Sequence, residues 1–420
     1  MTTWVQSGNP TEGVRLQTDI KVLLSAVVVM LAIGAVVTPI YDARFTASSL
    51  AGCIFLMLAR RRDVREIIGS ALLAILIAGS LILVRHGIPA RLTMLPFVLE
   101  MLGTGCLATL GIASIWGSGQ DREQALTAFG VGIFQLVFIV ATAGLLSLTL
   151  GLSPKTLDLY LLSADGSLGF QPSFAAGNFL RRAPLIAALE RFVYHFLPAM
   201  MLLLFAAQRN RQRGWNLLTA IVLAGAVGGL LYNVYPAVGP SVLFGNDYPV
   251  ASPSLEQSRG LVLQAVSPPG TVRNCMPSLH FGWALLLWWS SRHLTRVWRG
   301  SLLVFVLLTA FATVGLGEHY LFDLVVAFPF ALMIHAACSW KIPMHKWRAG
   351  CLVSSTVLTS IWLLILRFQI PLLWISPAIP WTLAIGTVLL CLVLECRLAD
   401  QSAPDVSPKY TAEPLRAVLR

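Results

Sequence analysis

Residues 301–340 read SLLVFVLLTAFATVGLGEHYLFDLVVAFPFALMIHAACSW. This stretch contains two apolar runs, 301–317 and 321–340, separated by the short polar segment 318–320. Each run approaches the roughly 20 residues that an α-helix needs to cross a bilayer. The pattern predicts two membrane-spanning helices joined by a tight turn, with the polar segment at one face of the membrane.

The composition of the whole chain agrees with this interpretation. Of the 420 residues, 56% are hydrophobic and only 12% are charged, whereas about 25% are charged in an average soluble domain. So few charges cannot cover a soluble surface, which excludes a cytosolic enzyme, a coiled coil, a disordered chain and a secreted disulfide scaffold. The sequence predicts an all-α, polytopic transmembrane helical bundle.

Working outward from residues 301–340 gives twelve candidate spans. The second and eighth are short, and the second could instead re-enter the membrane from one side. The candidates are 22–39, 46–59, 67–84, 94–116, 127–150, 188–207, 216–234, 278–291, 301–317, 321–340, 349–367 and 376–395. No cleavable signal peptide is evident, because the polar N-terminus leads into a run long enough to span.

The basic residues predict the orientation of these spans. With the N-terminus inside, alternation through twelve spans places twenty of the thirty Lys and Arg residues on the inner side, as the positive-inside rule requires. The net charge of +11 is thus explained by the membrane, and no nucleic-acid partner is expected. We expect a multi-pass protein of the cell (inner) membrane, with both termini cytoplasmic.

Two long segments then lie outside, 151–187 and 235–277. In the first, Leu157, Tyr160 and Leu161 share one helical stripe, which predicts a helix lying in the membrane interface. The predicted domains are an N-terminal transmembrane region of about five spans (1–150), a catalytic core (151–345), two C-terminal spans (346–399) and a cytoplasmic tail (400–420).

The candidate chemistry lies at the outer ends of three spans. His280 is predicted in the first turn of the eighth span, and His319 follows the ninth, so the topology brings both imidazoles to one face. Asp323 lies four residues after His319 and shares its helix face if the tenth span has begun there. An ionisable residue within a span is a functional candidate by default. His195, near the outer end of the sixth span, could border the same site.

The sequence before His280 predicts a phosphate site. Pro277 suits the start of a helix, and free N–H groups of Ser278, Leu279 and His280 would bind an anion there. Arg273 could clamp a phosphoryl oxygen. A histidine with a carboxylate to orient it, a second histidine and an anion site together favour phosphoryl transfer through a phosphohistidine.

Two alternatives remain open at this point. The patterns H-x-x-x-D and P-S-x-H are each weak and can arise by chance. A metal site formed by His280, His319 and Asp323 is also possible, although no fourth ligand is apparent. We therefore predict a site without metal and without cofactor.

The same residues carry a resemblance to a known family. PSLH (277–280), followed by HYLFD (319–323), resembles the type 2 phosphatidic acid phosphatase superfamily. Three blocks, YNVYPAVGP (232–240), MPSLHFGW (276–283) and GEHYLFDL (317–324), are similar to its inositol phosphorylceramide synthase branch, an inositolphosphotransferase-like group. The resemblance covers about 155–340 and implies a six-helix phosphatase-type core.

The resemblance implies a role for each catalytic residue. His319 would attack phosphorus, and Asp323 would accept its other N–H. His280 would protonate the leaving alcohol and then deprotonate the incoming water or hydroxyl. By analogy with phosphatases of the superfamily, no metal is needed, and the partner is a lipid phosphate or phospholipid at the extracytoplasmic face.

The chain departs from the phosphatase pattern where cations are expected. The K-x6-R-P motif is absent, and Ala312 and Thr313 stand where a Ser-Arg pair is expected. This departure shifts the expectation toward transfer. The predicted substrate-binding residues are Arg273, Ser278, Tyr232, Tyr235, Arg259, Arg191 and Tyr320.

Three functional hypotheses follow. The first is a lipid phosphatase or phosphotransferase, and the sequence does not separate hydrolysis from transfer. The second is a transporter or lipid flippase, supported only by the number of spans. The third is a non-catalytic membrane scaffold, in which both histidines would tolerate alanine.

Overall fold

The computed structural model describes residues 43–60, 64–85, 94–208, 211–268, 270–339 and 346–400. These residues form helices and connecting loops, with no strand among them apart from an isolated bridge between Thr156 and Val266. The prediction of an all-α polytopic bundle is confirmed. The predicted first span and residues 401–420 of the tail lie outside the described residues.

Sixteen α-helices follow one another along the described chain. They are α1 (Ala43–Arg60), α2 (Val64–Arg85), α3 (Met94–Trp116), α4 (Gly119–Leu152), α5 (Asp158–Gly166), α6 (Pro172–Arg182), α7 (Pro184–Ala207), α8 (Arg211–Val234), α9 (Pro240–Phe244), α10 (Leu255–Arg259), α11 (Leu279–Ser290), α12 (Arg296–Gly315), α13 (Leu321–Cys338), α14 (Lys346–Phe368), α15 (Ile370–Leu373) and α16 (Ala378–Asp400). A 3-10 turn, Gly245–Asp247, follows α9.

In the part of the chain that the structure describes, nine helices are long and apolar enough to cross a membrane: α2, α3, α4, α7, α8, α12, α13, α14 and α16. They coincide with nine predicted spans. The two spans predicted to be short, α1 and α11, are not among them. The 12 residues of α11 extend only about 18 Å, well short of the roughly 30 Å hydrocarbon core.

The helix α13 lies at the centre of the bundle. It packs against α8, α11, α14 and α16, and its side chains are buried almost all round, including Phe330, Leu332 and Ile334. A helix that is apolar on every face suits such a position. Asp323 therefore lies in the first turn of the central helix.

The N-terminal helix α1 is tied closely to the rest of the bundle. It packs against α3, α4 and α7, with Ala47, Ala51 and Cys53 buried in these contacts. At Gly103 of α3, a β-carbon would lie 1.9 Å from the carbonyl oxygen of Leu50. Only glycine permits this approach, as at many helix contacts within membranes.

Ion pairs join the helices at the end of the bundle opposite the predicted site. Arg60 of α1 lies 3.0 Å from Glu66 and 2.9 Å from Asp121, and Arg292, just after α11, pairs with Glu395 of α16. These basic residues belong to the clusters that the charge bias places in the cytoplasm. The structure thus groups them at one end, while the side of the membrane stays a prediction.

The predicted interfacial helix is present as α5, but its predicted position is wrong. Leu161 and Leu162 are buried, and so are the polar Asp158 and Asp165. The helix packs against α10, α13, α14 and α15. Its carboxylates bind backbone N–H groups of other segments, so the polar face lies inside the protein instead of facing lipid headgroups.

Candidate active site

His319 lies in the turn that joins α12 to α13. The turn requires Gly317, whose φ of +75° is in the region that favours glycine, and the His319 N–H donates to the Thr313 carbonyl at 3.1 Å. Because the turn is short, His319 comes to the same end of the bundle as the start of α11. This is the juxtaposition that the order of the spans predicts.

The imidazole of His319 is held through Nδ1. This atom lies 3.0 Å from the carbonyl oxygen of Cys275 and 3.4 Å from Oδ2 of Asp323. Both neighbours accept hydrogen bonds, so Nδ1 carries the proton. In the neutral ring the lone pair then lies on Nε2, which is the nucleophilic nitrogen of the ring. The His319 side chain is buried and does not line the cavity described below.

Asp323 is fixed by several donors. Its Oδ2 accepts the Tyr320 N–H at 2.8 Å and the Cys275 thiol at 2.8 Å, while Oδ1 has no partner among the described residues. The Asp323 carbonyl in turn accepts the N–H of Ser278 at 3.2 Å. The segment before α11 and the first turn of α13 are therefore joined through Asp323 and Cys275.

A second carboxylate caps the helix that carries Asp323. Asp165 accepts the N–H groups of Leu321 at 2.9 Å and of Phe322 at 3.2 Å, two donors that the first turn of a helix cannot satisfy itself. Burial raises the pKa of Asp165 to about 8, and the neighbouring Asp323 adds to the shift. The sequence does not reveal this contact, and its one signal is an aspartate near the end of a short helix rich in leucine.

Asp158, at the start of α5, fixes the loop after α8 in the same manner. It accepts the N–H groups of Val238 at 3.1 Å and Gly239 at 3.0 Å. Burial raises the pKa of this carboxyl to about 6, against the opposing effect of its hydrogen bonds. Gly239 has a φ of +87°, and a β-carbon there would lie 2.4 Å from the Glu318 carbonyl. The loop therefore packs directly on the turn that carries His319.

His280 is the second residue of α11 and lies among aromatic rings. Its ring stacks on Tyr194 at 4.1 Å between centroids and 11° between planes, and Phe45 of α1 lies 5.4 Å away. His280 interacts electrostatically with both His319 and His195. Stacking of this kind fixes the orientation of the imidazole while its edge remains available for proton transfer.

A cavity of about 530 Å³ lies beside His280. One part of its wall is apolar and comes mainly from α4 and α7, with Ile139, Leu146, Leu197 and Met201. The arginine, histidine and acidic side chains on the wall are Arg44, Arg191, His195, His280 and Glu318. A cavity with an apolar wall and a few polar groups is typical of a site for a small amphipathic ligand.

Two of the predicted binding residues, Tyr232 and Arg191, line this cavity. Ser278 lies beside it but acts as the N-cap of α11, and its hydroxyl accepts the Phe281 N–H. The N–H of Ser278 is already bound to the carbonyl of Asp323 at 3.2 Å. The predicted anion site of free N–H groups at this helix start is therefore contradicted for Ser278.

The other predicted arginines are not at the cavity. Arg273 is buried, and its guanidinium donates to the carbonyls of Ser153 at 2.8 Å, Pro154 at 2.9 Å and Thr271. This geometry contradicts the predicted phosphate clamp. Arg273 instead joins the segment after α4 to the loop before α11. Arg259 lies exposed at the end of α10 and does not line the cavity.

Two predicted tyrosines also point elsewhere. The Tyr235 hydroxyl donates to the carbonyl of Leu366 on α14 at 3.2 Å. The Tyr320 hydroxyl donates to Asp158 at 3.2 Å. Both rings are fully buried and do not line the cavity, so both residues support the structure around the site.

The described residues also include one group of side chains with the spacing of a metal site. The ligand atoms of Cys275, His319 and Asp323 lie within 4.8 Å of one another. They supply one ligand fewer than the four protein ligands of a structural zinc site, and the same atoms take part in the hydrogen bonds described above. The expectation of a metal-independent site stays a prediction.

Residues 159–337 match the sequence model of the PAP2 superfamily. No curated protein and no solved structure matches the chain. The matched segment runs from α5 to the end of α13 and includes His280, His319 and Asp323. It supports the superfamily for this part of the chain, while the inositol phosphorylceramide synthase branch rests on the motif resemblance.

Proposed function

We propose that this membrane protein is a lipid phosphatase or phosphotransferase that works through a phosphohistidine at His319. The match of residues 159–337 to the PAP2 superfamily supports this class of reaction. The observation that carries the mechanism is the position of His319 Nδ1, which faces the Cys275 carbonyl and the Asp323 carboxylate. That arrangement leaves Nε2 as the nucleophile.

In the first half-reaction, Nε2 of His319 attacks the phosphorus of a lipid phosphate or phosphodiester. The bond from phosphorus to the leaving alcohol oxygen breaks, and protonated His280 gives its proton to that oxygen. The ring of His319 gains positive charge as the P–N bond forms. Asp323, 3.4 Å from Nδ1, stabilises this charge.

In the second half-reaction, neutral His280 takes a proton from water or from an acceptor alcohol. The oxygen attacks phosphorus, the P–N bond breaks and His319 is restored. Hydrolysis and transfer therefore differ only in the oxygen nucleophile. We favour transfer, as in inositol phosphorylceramide synthases, because the chain lacks the phosphatase cation motifs and resembles that branch at 232–240.

The first experiment measures phosphate release by the purified protein in detergent micelles. Phosphatidic acid, polyprenyl phosphates and sphingoid phosphates are offered in turn. An inositol phospholipid donor with a ceramide-type acceptor follows, and there the released diacylglycerol is measured, because transfer releases no phosphate. We expect turnover in one of these reactions and a loss on the order of 10³-fold or more in His319→Asn, since nucleophile removal is among the costliest changes. Labelled phosphorus should also be trapped on the wild-type protein as an acid-labile adduct.

The matched control is His335→Asn, which changes a histidine of α13 roughly four turns away and should retain turnover. Equal turnover by His319→Asn and the wild type would refute the mechanism. Substrate-dependent flux across vesicles that survives loss of His280 and His319 would instead favour the transporter hypothesis. If replacing both His280 and His319 changed no phenotype, the scaffold hypothesis would be favoured.

A further inference from the structure

The cavity beside His280 has two cationic side chains from different helices. Among the described residues on its wall, the guanidinium groups are those of Arg44, on α1, and Arg191, on α7. Both residues are exposed. Glu318 is the carboxylate on the same wall, so these three side chains contribute a net charge of +1. This balance suits an anionic ligand.

Arg44 and Arg191 line the cavity, whereas the other arginines predicted to bind phosphate do not. The sequence lacks the superfamily's two cation motifs. Arg273 is bound to backbone carbonyls, and Arg259 lies away from the cavity. A phosphate group in an apolar site requires charged donors, and the guanidinium group matches phosphate oxygens in a bidentate geometry.

The helix α1 lies next to the cavity, although it is outside residues 159–337, the segment that matches the family. Phe45, the residue after Arg44, lies 5.4 Å from the His280 ring and 5.1 Å from the His195 ring. The close contact between Leu50 and Gly103 holds the same helix against α3. The position of Arg44 relative to His280 is therefore set by packing along the whole of α1.

We propose that Arg44 and Arg191 bind the phosphate of an amphipathic phosphate ester, with its aliphatic chain against α4 and α7. Along α7 the cavity-lining residues pass from Arg191 and His195 to Leu197 and Met201, and α4 adds Ile139 and Leu146. The proposal rests on the function proposed above and deepens it. It makes the N-terminal helix, which lies outside residues 159–337, part of the substrate site.

The test measures binding and does not depend on turnover. Hexadecylphosphonate, which cannot be hydrolysed, is titrated into the full-length protein in detergent, and affinity is followed by thermal shift and by calorimetry. We expect Arg44→Ala and Arg191→Ala each to weaken binding by about 10-fold or more, the loss typical of a charge-assisted contact. Lysine at either position should restore part of the affinity.

Two controls separate charge from packing. Arg182→Ala removes an exposed arginine at the end of α6 that does not line the cavity and should bind the phosphonate like the wild type. Hexadecanol should bind all variants equally, since it lacks the anionic group. The unliganded melting temperatures of the variants should match that of the wild type.

Wild-type affinity in Arg44→Ala would overturn the assignment of α1 to the site, and so would a wild-type protein that does not bind the phosphonate. A different outcome would refute the proposed catalytic function. If the phosphonate binds through both arginines but no phosphate ester or diester is turned over, the binding site stands and the phosphohistidine mechanism falls.

Discussion

Cys275 contacts both His319, the proposed nucleophile, and Asp323, the carboxylate proposed to orient it. Its carbonyl oxygen lies 3.0 Å from His319 Nδ1, and its thiol donates to Asp323 Oδ2 at 2.8 Å. Burial raises the pKa of the Cys275 thiol well above its usual range, and the nearby Asp323 carboxylate adds to the shift. The sulfur therefore keeps its proton and remains a donor. We regard Cys275 as a positioning residue.

Replacing the thiol tests this role. Cys275→Ser keeps a donor to Asp323, and we expect turnover close to that of the wild type. Cys275→Ala removes the donor from a buried carboxylate, and we expect kcat to fall about 10-fold, since one hydrogen bond to a charged group contributes roughly 1.5–3 kcal/mol. KM should change little because the side chain does not line the cavity.

Steady-state kinetics on the substrate found in the first assay checks this prediction, with Cys396→Ala as an exposed-cysteine control. Equal loss in the serine and alanine variants would show that the hydrogen bond is not the cause. A KM effect without a kcat effect would place Cys275 in substrate binding instead.

The sequence predicts which residues come together at the site better than it predicts where their side chains point. The order of the spans and the spacing of His319 and Asp323 are local features, and they place both groups correctly relative to each other. The directions of Arg273, Tyr235 and Tyr320 depend on partners that lie 120, 131 and 162 residues away in the chain. No periodicity in the sequence encodes such contacts.

At the scale of helices, the start of α13 is stabilised by α5. The Asp165 carboxyl group accepts two N–H groups of the first turn, from Leu321 and Phe322, and Asp323 follows in the same turn. An acceptor at a helix N-terminus typically contributes about 1 kcal/mol. The helix α5 therefore helps to place Asp323, the proposed catalytic carboxylate, although α5 does not line the cavity.

The raised pKa of Asp165 predicts a pH dependence of stability. Between the ordinary carboxyl pKa and about 8, the folded protein binds a proton that the unfolded chain has released, so stability falls as pH rises through this range. Asp158, with a pKa of about 6, adds to the fall only in the lower part. From pH 6 to 8, the slope from these two carboxyls should come mainly from Asp165.

Asp165→Asn should lose this slope, because an amide does not titrate. It should keep only one of the two hydrogen bonds to Leu321 and Phe322, since the amide NH2 group cannot accept. Asp165→Ala should lower the free energy of unfolding at every pH by about 1–2 kcal/mol. Melting temperatures in detergent from pH 5 to 8.5 provide the measurement. An unchanged slope in Asp165→Asn would assign the titration to another group.

The helices themselves were mostly predictable, because a span of about 20 apolar residues is a strong signal. The position of α5 was not predictable from its stripe of Leu157, Tyr160 and Leu161. An apolar stripe packs equally well against lipid or protein, and the polar face of α5 is satisfied only by backbone groups far along the chain. The short apolar run within α1 and the short helix α11 were visible in the sequence, whereas their burial among other helices depends on tertiary packing.

At the scale of the molecule, the surface of the bundle is strongly apolar. Leu76 of α2, Val353 of α14 and Leu389 of α16 are 66%, 61% and 57% exposed. An apolar surface of this extent is typical of a protein surrounded by lipid. The ion pair between Arg292 and Glu395 lies at one end of this surface, and the cavity with His280 lies at the other.

The native cysteines offer a direct test of which end faces the cytoplasm. Of the seven cysteines, all of which the structure describes, Cys396 is exposed and the other six are buried. It lies beside Glu395, at the end of α16 that the basic clusters assign to the inside. We expect a membrane-impermeant maleimide to label Cys396 only after the membrane is opened, and Cys396→Ser to abolish the labelling.

The opposite face of the membrane can be probed in the variant that lacks the exposed Cys396. Ser252 is exposed in the loop between α9 and α10, on the side of the cavity, and Ser252→Cys combined with Cys396→Ser should be labelled in intact cells. The reverse pattern would place His280 and His319 on the cytoplasmic side. The proposed chemistry would then be unchanged, because His319, Asp323 and Cys275 depend only on one another, but the lipid would have to come from the inner leaflet. The orientation therefore decides which pool of lipid phosphate the site can reach.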